Sequence, residues 1–371
     1  MQSHLLHCRR LLLTLTLLGA SSIAAGAEPA GAWPQPYTKV SAKSVEWMKA
    51  KQWWPLTVAW QPAFAGQNAT MFTMASNGLL ARRGIETKFD PVANGGLVNK
   101  AITAGAAQVG SAGNFPVTTL VDAGAPIRVI AITAPNLRHH VIVPKDSPIK
   151  KVSDFKGMRP PAQIGLVLGT SAEFYFQATA AANGVRVGSD VILKNTPQPE
   201  QARMPKELAA VVPWDPTATL ITNEQKTGRA IDVSYPYNVY QGSVYIRKEL
   251  VEEVPDVAQA IAEAYVEADL LIRLAPEKTA EAMAASPDLK AFSRELLLVQ
   301  IREYNLLYKP TYLYPLGRFF GQQNQDVALW LHLRGKLKKP LERADYEAFF
   351  AQGPMDKVFE QLGWKVPILP P

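Results

Sequence analysis

The chain has 371 residues, 47% hydrophobic and 19% charged, which excludes extended disorder and is too long for one ordinary domain. The formal net charge of +7 favours encounter with anionic solutes or surfaces. No dense basic run interleaved with aromatics occurs, so nucleic acid is not an expected partner.

Arg9 and Arg10 precede an apolar run at 11–20, and Ala25-Gly26-Ala27 follows as a small-x-small site. This is the pattern of a secretory signal with cleavage after Ala27, and the apolar run is too short to cross a bilayer. Export to the periplasm is the expectation. The only cysteine, Cys8, lies ahead of the apolar run. It is therefore misplaced for a lipid anchor, and the mature chain has no disulfide, thiolate nucleophile or Cys metal ligand. Residues 28–54 read as a leader, irregular around Trp33-Pro34-Gln35-Pro36, with a short helix at 45–54.

From residue 56 the pattern changes. A strand at 56–60 is followed by a loop at 61–68 and a helix at 71–83 that stops at Gly84. A strand at 87–89 follows, then a helix at 97–104 opened by Gly95-Gly96. Next come a strand at 108–110, a polar turn at 111–116, a helix at 117–123 and a strongly apolar strand at 127–133. Short apolar strands alternating with helices predict an α/β fold with a parallel sheet covered on both faces. The segment 141–143 reads as the end of this first unit.

The second unit repeats the type. A helix-and-stop signal at 154–157 precedes a strand at 164–168. Gly169-Thr170-Ser171 then opens a helix at 172–183, stopped by Gly184. Strands are predicted at 191–193, 208–212 and 231–233, with Pro213-Trp214-Asp215-Pro216 leading into a helix. Beyond 240–246 the chain is helical, with helices at 255–274, 276–285, 290–304, 325–333, 343–350 and 355–362. The organisation expected is a signal at 1–27, a leader at 28–54, a first lobe at 55–143 and a second lobe at 144–238. Residues 239–371 return to the first lobe and end in extra helices.

Ligands of open parallel sheets bind beyond the carboxyl ends of the strands, where helix N-termini present free amides and a positive dipole end. Four loops fall there. They carry Gln61 and Asn68, then Ser111, Asn114 and Phe115, then Thr170 and Ser171, then Trp214 and Asp215. Short polar donors beside bulky aromatics suit a small polar head with an apolar body. Ser111, Asn114, Thr170 and Ser171 are equally ordinary helix caps. Asp215 before Pro216 also fits a cap, and Trp214 also fits a core. Asn68-Ala69-Thr70 is a sequon. His139 and His140, adjacent on a strand, point to opposite faces and make a poor metal pair. No G-x-S-x-G, catalytic Cys or clustered carboxylate pair occurs, so neither an enzyme nor a resident cofactor is expected.

These segments together resemble the periplasmic binding proteins of ABC importers for nitrate, taurine and aliphatic sulfonates, a group overlapping the NMT1/THI5-like family. The likeness spans roughly 55–285. It rests on Val58-Ala59-Trp60-Gln61, the Gly-Gly helix start with Ala104-Gly105-Ala106-Ala107-Gln108-Val109-Gly110, and the polar turn at 111–117. It continues with Val143-Pro144-Lys145-Asp146-Ser147-Pro148-Ile149, Val152-Ser153-Asp154-Phe155-Lys156-Gly157, Gly169-Thr170-Ser171 and Trp214-Asp215-Pro216. Gln108 stands where the family usually has Asp, and the tail beyond 305 lies outside the pattern. The resemblance implies a type II two-lobed fold joined by a double crossover, with the ligand between the lobes. It implies a monomer, no cofactor, a small anionic solute (a sulfonate, taurine, a sulfate ester or nitrate) and an ABC permease in the inner membrane as partner. Gln61, Asn114, Phe115, Thr170, Ser171, Trp214 and Asp215 would line the cleft, joined by Tyr240 and Gln241 where the chain returns. If Asp215 faces the cleft, the ligand carries an amine; if it caps its helix, that inference falls. A sensor subunit, a carrier of a pyrimidine thiamine precursor and an enzyme on the same scaffold are the alternatives.

Overall fold

The structure is a computed structural model, described here for residues 33–34, 36–234, 240–316 and 322–367. The signal expected at 1–27 lies outside the described residues.

Ten strands are described: β1 (Leu56–Trp60), β2 (Thr87–Pro91), β3 (Val109–Gly113), β4 (Ile127–Thr133), β5 (His140–Pro144), β6 (Ala162–Leu166), β7 (Val191–Asn195), β8 (Ala210–Val211), β9 (Gly228–Val233) and β10 (Gly242–Arg247). They form two five-stranded sheets, ordered β2-β1-β3-β10-β4 and β7-β6-β8-β5-β9. In the first sheet β1 is parallel to β2 and β3, and β10 runs antiparallel to β3 and β4. In the second, β6 is parallel to β7 and β8, and β5 runs antiparallel to β8 and β9. Each sheet thus holds one antiparallel strand, and in each it is a strand that follows a crossing between the lobes.

That pattern corrects two expectations. An all-parallel sheet is not what forms, because β10 enters the first sheet from the other lobe. The segment 141–143, read as the end of the first lobe, belongs to β5 in the second sheet, with Ile142 opposite Val211 and Ala230. Val141, Ile142 and Val143 are buried. An apolar strand buried on both faces has the same periodicity whichever sheet takes it.

Helix starts follow local chemistry. The Asn94 side chain accepts from the Leu97 amide and opens Gly95–Thr103. Thr170 accepts from the Ala172 amide and opens Ser171–Ala182. Such caps satisfy amides that the first turn leaves unpaired. The long helix Pro255–Leu274 is buried on most of its surface and packs on Gln67–Ser76 and Gly353–Leu362.

The described part of the leader is a fixed part of the first lobe. Ser41 donates its amide to Asp256 at 2.8 Å and Thr38 donates to Glu263 at 2.6 Å. Arg83 is fully buried between Glu263 (3.2 Å) and Glu267 (2.7 Å), with the rings of Trp33 and Tyr37 over its guanidinium. Breaking such a buried pair from one side costs about 3–5 kcal/mol. At the other end of the chain, the Val129 amide donates to Phe349 O (2.8 Å) and the Ala351 amide to Val129 O (3.0 Å), so the tail covers the edge strand β4.

Candidate functional site

A cleft of about 410 Å³ opens between the lobes. Its walls follow the carboxyl ends of six strands: Gln61 after β1, Asn94 after β2, Phe115 after β3, Leu168 to Ser171 after β6, Asn195 at the end of β7 and Trp214 after β8. Parallel strands all expose the same end, so alternating strands and helices converge their loops on one gap. The first turns of Gly95–Thr103 and Ser171–Ala182 meet it, bringing amide donors and positive dipole ends. None of the described residues lining the cleft carries a charge.

Six expected residues meet in this cleft: Gln61, Phe115, Thr170, Ser171, Trp214 and Tyr240. Gln61 donates to Ser111 O at 3.2 Å, which holds its side chain along the floor. The Trp214 indole donates to Ala63 O at 2.7 Å, and the Ala65 amide to Asp215 O at 3.2 Å, so the lobes are bonded to each other near the crossing strands. Phe64, Phe115, Trp214 and Tyr240 give the cleft four aromatic faces. Tyr240 reaches its place because Gly113 leaves room: a Cβ there would lie 1.4 Å from the phenol oxygen.

Five other expected residues lie elsewhere. Asn68 is the second residue of Gln67–Ser76; its side chain donates to Pro62 O at 3.0 Å and closes the loop. Ser111 is inside β3, buried, with its hydroxyl donating to Ser243 O at 3.3 Å; the strand runs further than its apolar residues suggest. Asn114 is buried and donates to Asn324 of the helix Gln322–Leu333 at 3.1 Å. Asp215 is buried beside the cleft, not in it. One carboxylate oxygen accepts from the Thr219 amide (3.2 Å) and hydroxyl (2.8 Å), and the other from the Tyr304 hydroxyl (2.7 Å). His140 Nε2 stands 3.7 Å from it, too far for a hydrogen bond, so its part is electrostatic. Burial opposes the charge, but His140, Tyr304 and Thr219 outweigh it and hold the carboxyl down at about 2. Both Asp215 oxygens are taken by partners within the protein, and the amine that it would have demanded of a ligand falls with that. Gln241 donates none of its side chain to the cleft; its carbonyl accepts from the Asn114 amide at 2.9 Å.

The structure adds residues that the loops did not announce. Asn94 and Asn195 line the cleft mouth with Asn99 and Thr119. Asn94 was readable, as a cap standing just before Gly95-Gly96. Asn99 and Thr119 arrive from inside helices and carry no local signal. His139 is the more consequential omission. It is fully buried among the rings of Tyr175, Trp214 and Tyr240, and its Nε2 lies 2.8 Å from the Ser171 hydroxyl. Burial, first, and the neighbouring His140, second, push its pKa from 6.5 down to about 3. A hydrolytic Ser–His pair needs a base of near-neutral pKa whose far nitrogen is held by an acceptor. Among the described residues, His139 Nδ1 has no hydrogen-bond partner. The imidazole holds the Ser171 hydroxyl at the cleft wall.

Residues 66–278, more than half of the chain, match the NMT1/THI5 like family. The fold is similar to that of the alkanesulfonate-binding protein SsuA from Xanthomonas axonopodis pv. citri bound to MOPS, with a TM-score of 0.65 and 18% identity over 78% of this chain and 96% of that one. It is similar to the periplasmic aliphatic sulphonate binding protein SsuA from Escherichia coli (0.65, 19%, covering 80% and 92%). It is also similar to the periplasmic nitrate-binding protein NrtA from Synechocystis PCC 6803 (0.67, 14%, covering 85% and 91%). At these identities the likeness is one of fold. No curated protein matches the sequence. With its two sheets, its crossing strands and its matched segment, the chain belongs to the NMT1/THI5-like family and has the periplasmic binding protein fold.

Proposed function

We propose that this chain is an exported solute-binding protein of an ABC importer, which captures a small organic oxyanion in the periplasm and delivers it to an inner-membrane permease. The observation that carries this reading is the uncharged cleft between the lobes, ringed by helix N-termini and neutral donors and backed by four aromatic rings. Amide and hydroxyl donors at helix starts hold an oxyanion without a counter-charge. Phe64, Phe115, Trp214 and Tyr240 would leave a bare inorganic ion poorly contacted, and they suit a carbon body behind the charged head. A ligand that touches both lobes stabilises their closed arrangement, which is the form a permease would receive.

The test is a calorimetric and thermal-shift comparison of ethanesulfonate, taurine, MOPS, nitrate and an aminopyrimidine against the chain from residue 28 onward. A ligand at a hundredfold its Kd stabilises the native state by about 2.7 kcal/mol. Sulfonates are expected to bind, with taurine no better than ethanesulfonate, because Asp215 bonds Thr219 and Tyr304 instead of meeting the ligand. Binding of nitrate alone, or of the pyrimidine in preference to every sulfonate, would overturn the assigned ligand class.

A further inference from the structure

The tail lies beyond the segment that matches the family, which ends at residue 278. One part of it touches both lobes. The helix Gln322–Leu333 packs on Asn114–Asp122 of the first lobe, and its Val327, Ala328 and Leu331 are buried. Asn324 bonds Asn114 at 3.1 Å. Further along, the Lys338 amide donates to Asp122 at 3.0 Å, and Tyr346 shares a 2.9 Å hydrogen bond with Thr118. These contacts all anchor the tail to the first lobe.

Two side chains reach the second lobe instead. The Trp330 ring lies 5.9 Å from Phe115 and 5.5 Å from Phe174, both edge-on, and these two rings are 5.6 Å from each other. Phe115 lines the cleft from the first lobe, and Phe174 comes from the second lobe's helix Ser171–Ala182. Just beyond the helix end, Arg334 lies over the Trp330 ring at 4.4 Å. It donates to Glu173 at 3.1 Å and to Gln177. Glu173 in turn accepts from the Gly169 amide at 2.7 Å, in the loop that forms the cleft wall.

We propose that Trp330 and Arg334 are positioning residues for ligand retention: a clasp, rooted in the first lobe, that holds the second lobe's loop 168–171 against the cleft. An exposed ion pair alone contributes little. Here the guanidinium lies over the indole, and the carboxylate it grips also fixes a backbone amide of the cleft wall. The contacts to Phe174, Glu173 and Gln177 join the lobes, so they are present when the lobes touch and are lost as they part. Any contact made only in the closed arrangement raises the closed population and slows release. The consequence for ligand retention rests on the solute-binding reading above; the clasp between the lobes does not.

The experiment compares the wild-type chain with Trp330→Ala, Arg334→Ala and, as a control on an exposed neighbour, Leu333→Ala. Amide hydrogen exchange without ligand is expected to speed at residues 169–172 by about tenfold in the first two variants, with β1 and β6 unchanged. Arg334→Lys, which keeps the charge for Glu173, should restore part of the protection. With MOPS as the probe, dissociation should quicken by about tenfold in the same two variants. Unchanged exchange at 169–172 overturns the clasp, and so does a rise of equal size in β1 and β6, which would mark general loosening. Failure of MOPS to bind the wild type counts against the ligand class alone, and the exchange result then decides the clasp.

Discussion

Taking an imidazole out of water disfavours its charged form, and His139 shows the consequence. Its folded pKa of about 3 lies below the ordinary 6.5, so between those values the unfolded chain binds the extra proton. Stability from this group is therefore complete above about pH 6.5 and is lost as pH falls toward 3. His139→Phe keeps a ring among Tyr175, Trp214 and Tyr240 but cannot titrate. Urea midpoints measured at pH 7 and 4.5 should fall for the wild type and fall less for the variant; equal slopes would deny His139 its part. The same substitution removes one partner of the Ser171 hydroxyl, a polar group on the cleft wall that Tyr240 also bonds. Ser171 was legible as a donor at a helix start, but its partner was not, because His139 lies 32 residues away.

Two elements meet with unusual closeness where β3 ends and the chain re-enters the first sheet toward β10. Gly242 pairs with Gly113 on one side and Thr133 on the other, and Tyr240 is folded over Gly113. At Gly113 the requirement is for space, since any Cβ would collide with the phenol oxygen and the ring carbon beside it, 2.1 Å away. Overpacking of an ordinary core site costs about 1–3 kcal/mol, and here the buried Tyr240 ring would have to swing aside. Gly113→Ala should lower the thermal midpoint and also abolish sulfonate-induced stabilisation, because Tyr240 would leave the cleft. An alanine variant that melts and binds like the wild type would show that Tyr240 has another place to go.

Across the whole molecule, both ends of the described chain are built into the first lobe. Residues 37–41 bond to the helix Pro255–Leu274, and the last described helix packs on the same element. Met355, Val358 and Phe359 are buried against that lobe, and the segment around Phe350 covers β4. A chain cut after residue 341 would uncover this apolar surface together with an open strand edge, a template for association. Such a truncation should bind a hydrophobic dye, melt at a lower temperature and self-associate, as light scattering would record. A cut chain that stays monomeric with an unchanged midpoint would show the tail to be an appendage.

Strand and helix types, and the carboxyl-end loops that hold Gln61, Phe115, Thr170, Ser171 and Trp214, were legible in the sequence. Apolar periodicity and glycine stops act over a few residues. Two matters depended on the tertiary structure. The first was strand partnership: β5 and β10 each pair antiparallel in the sheet the chain is entering, and nothing in their apolar composition names that sheet. The second was the aim of polar side chains. Asp215 turns to Tyr304, 89 residues on, and Asn114 to Asn324, 210 residues on. A buried polar group goes wherever a partner satisfies it, and when that partner lies far along the chain, only the packed fold brings the two together.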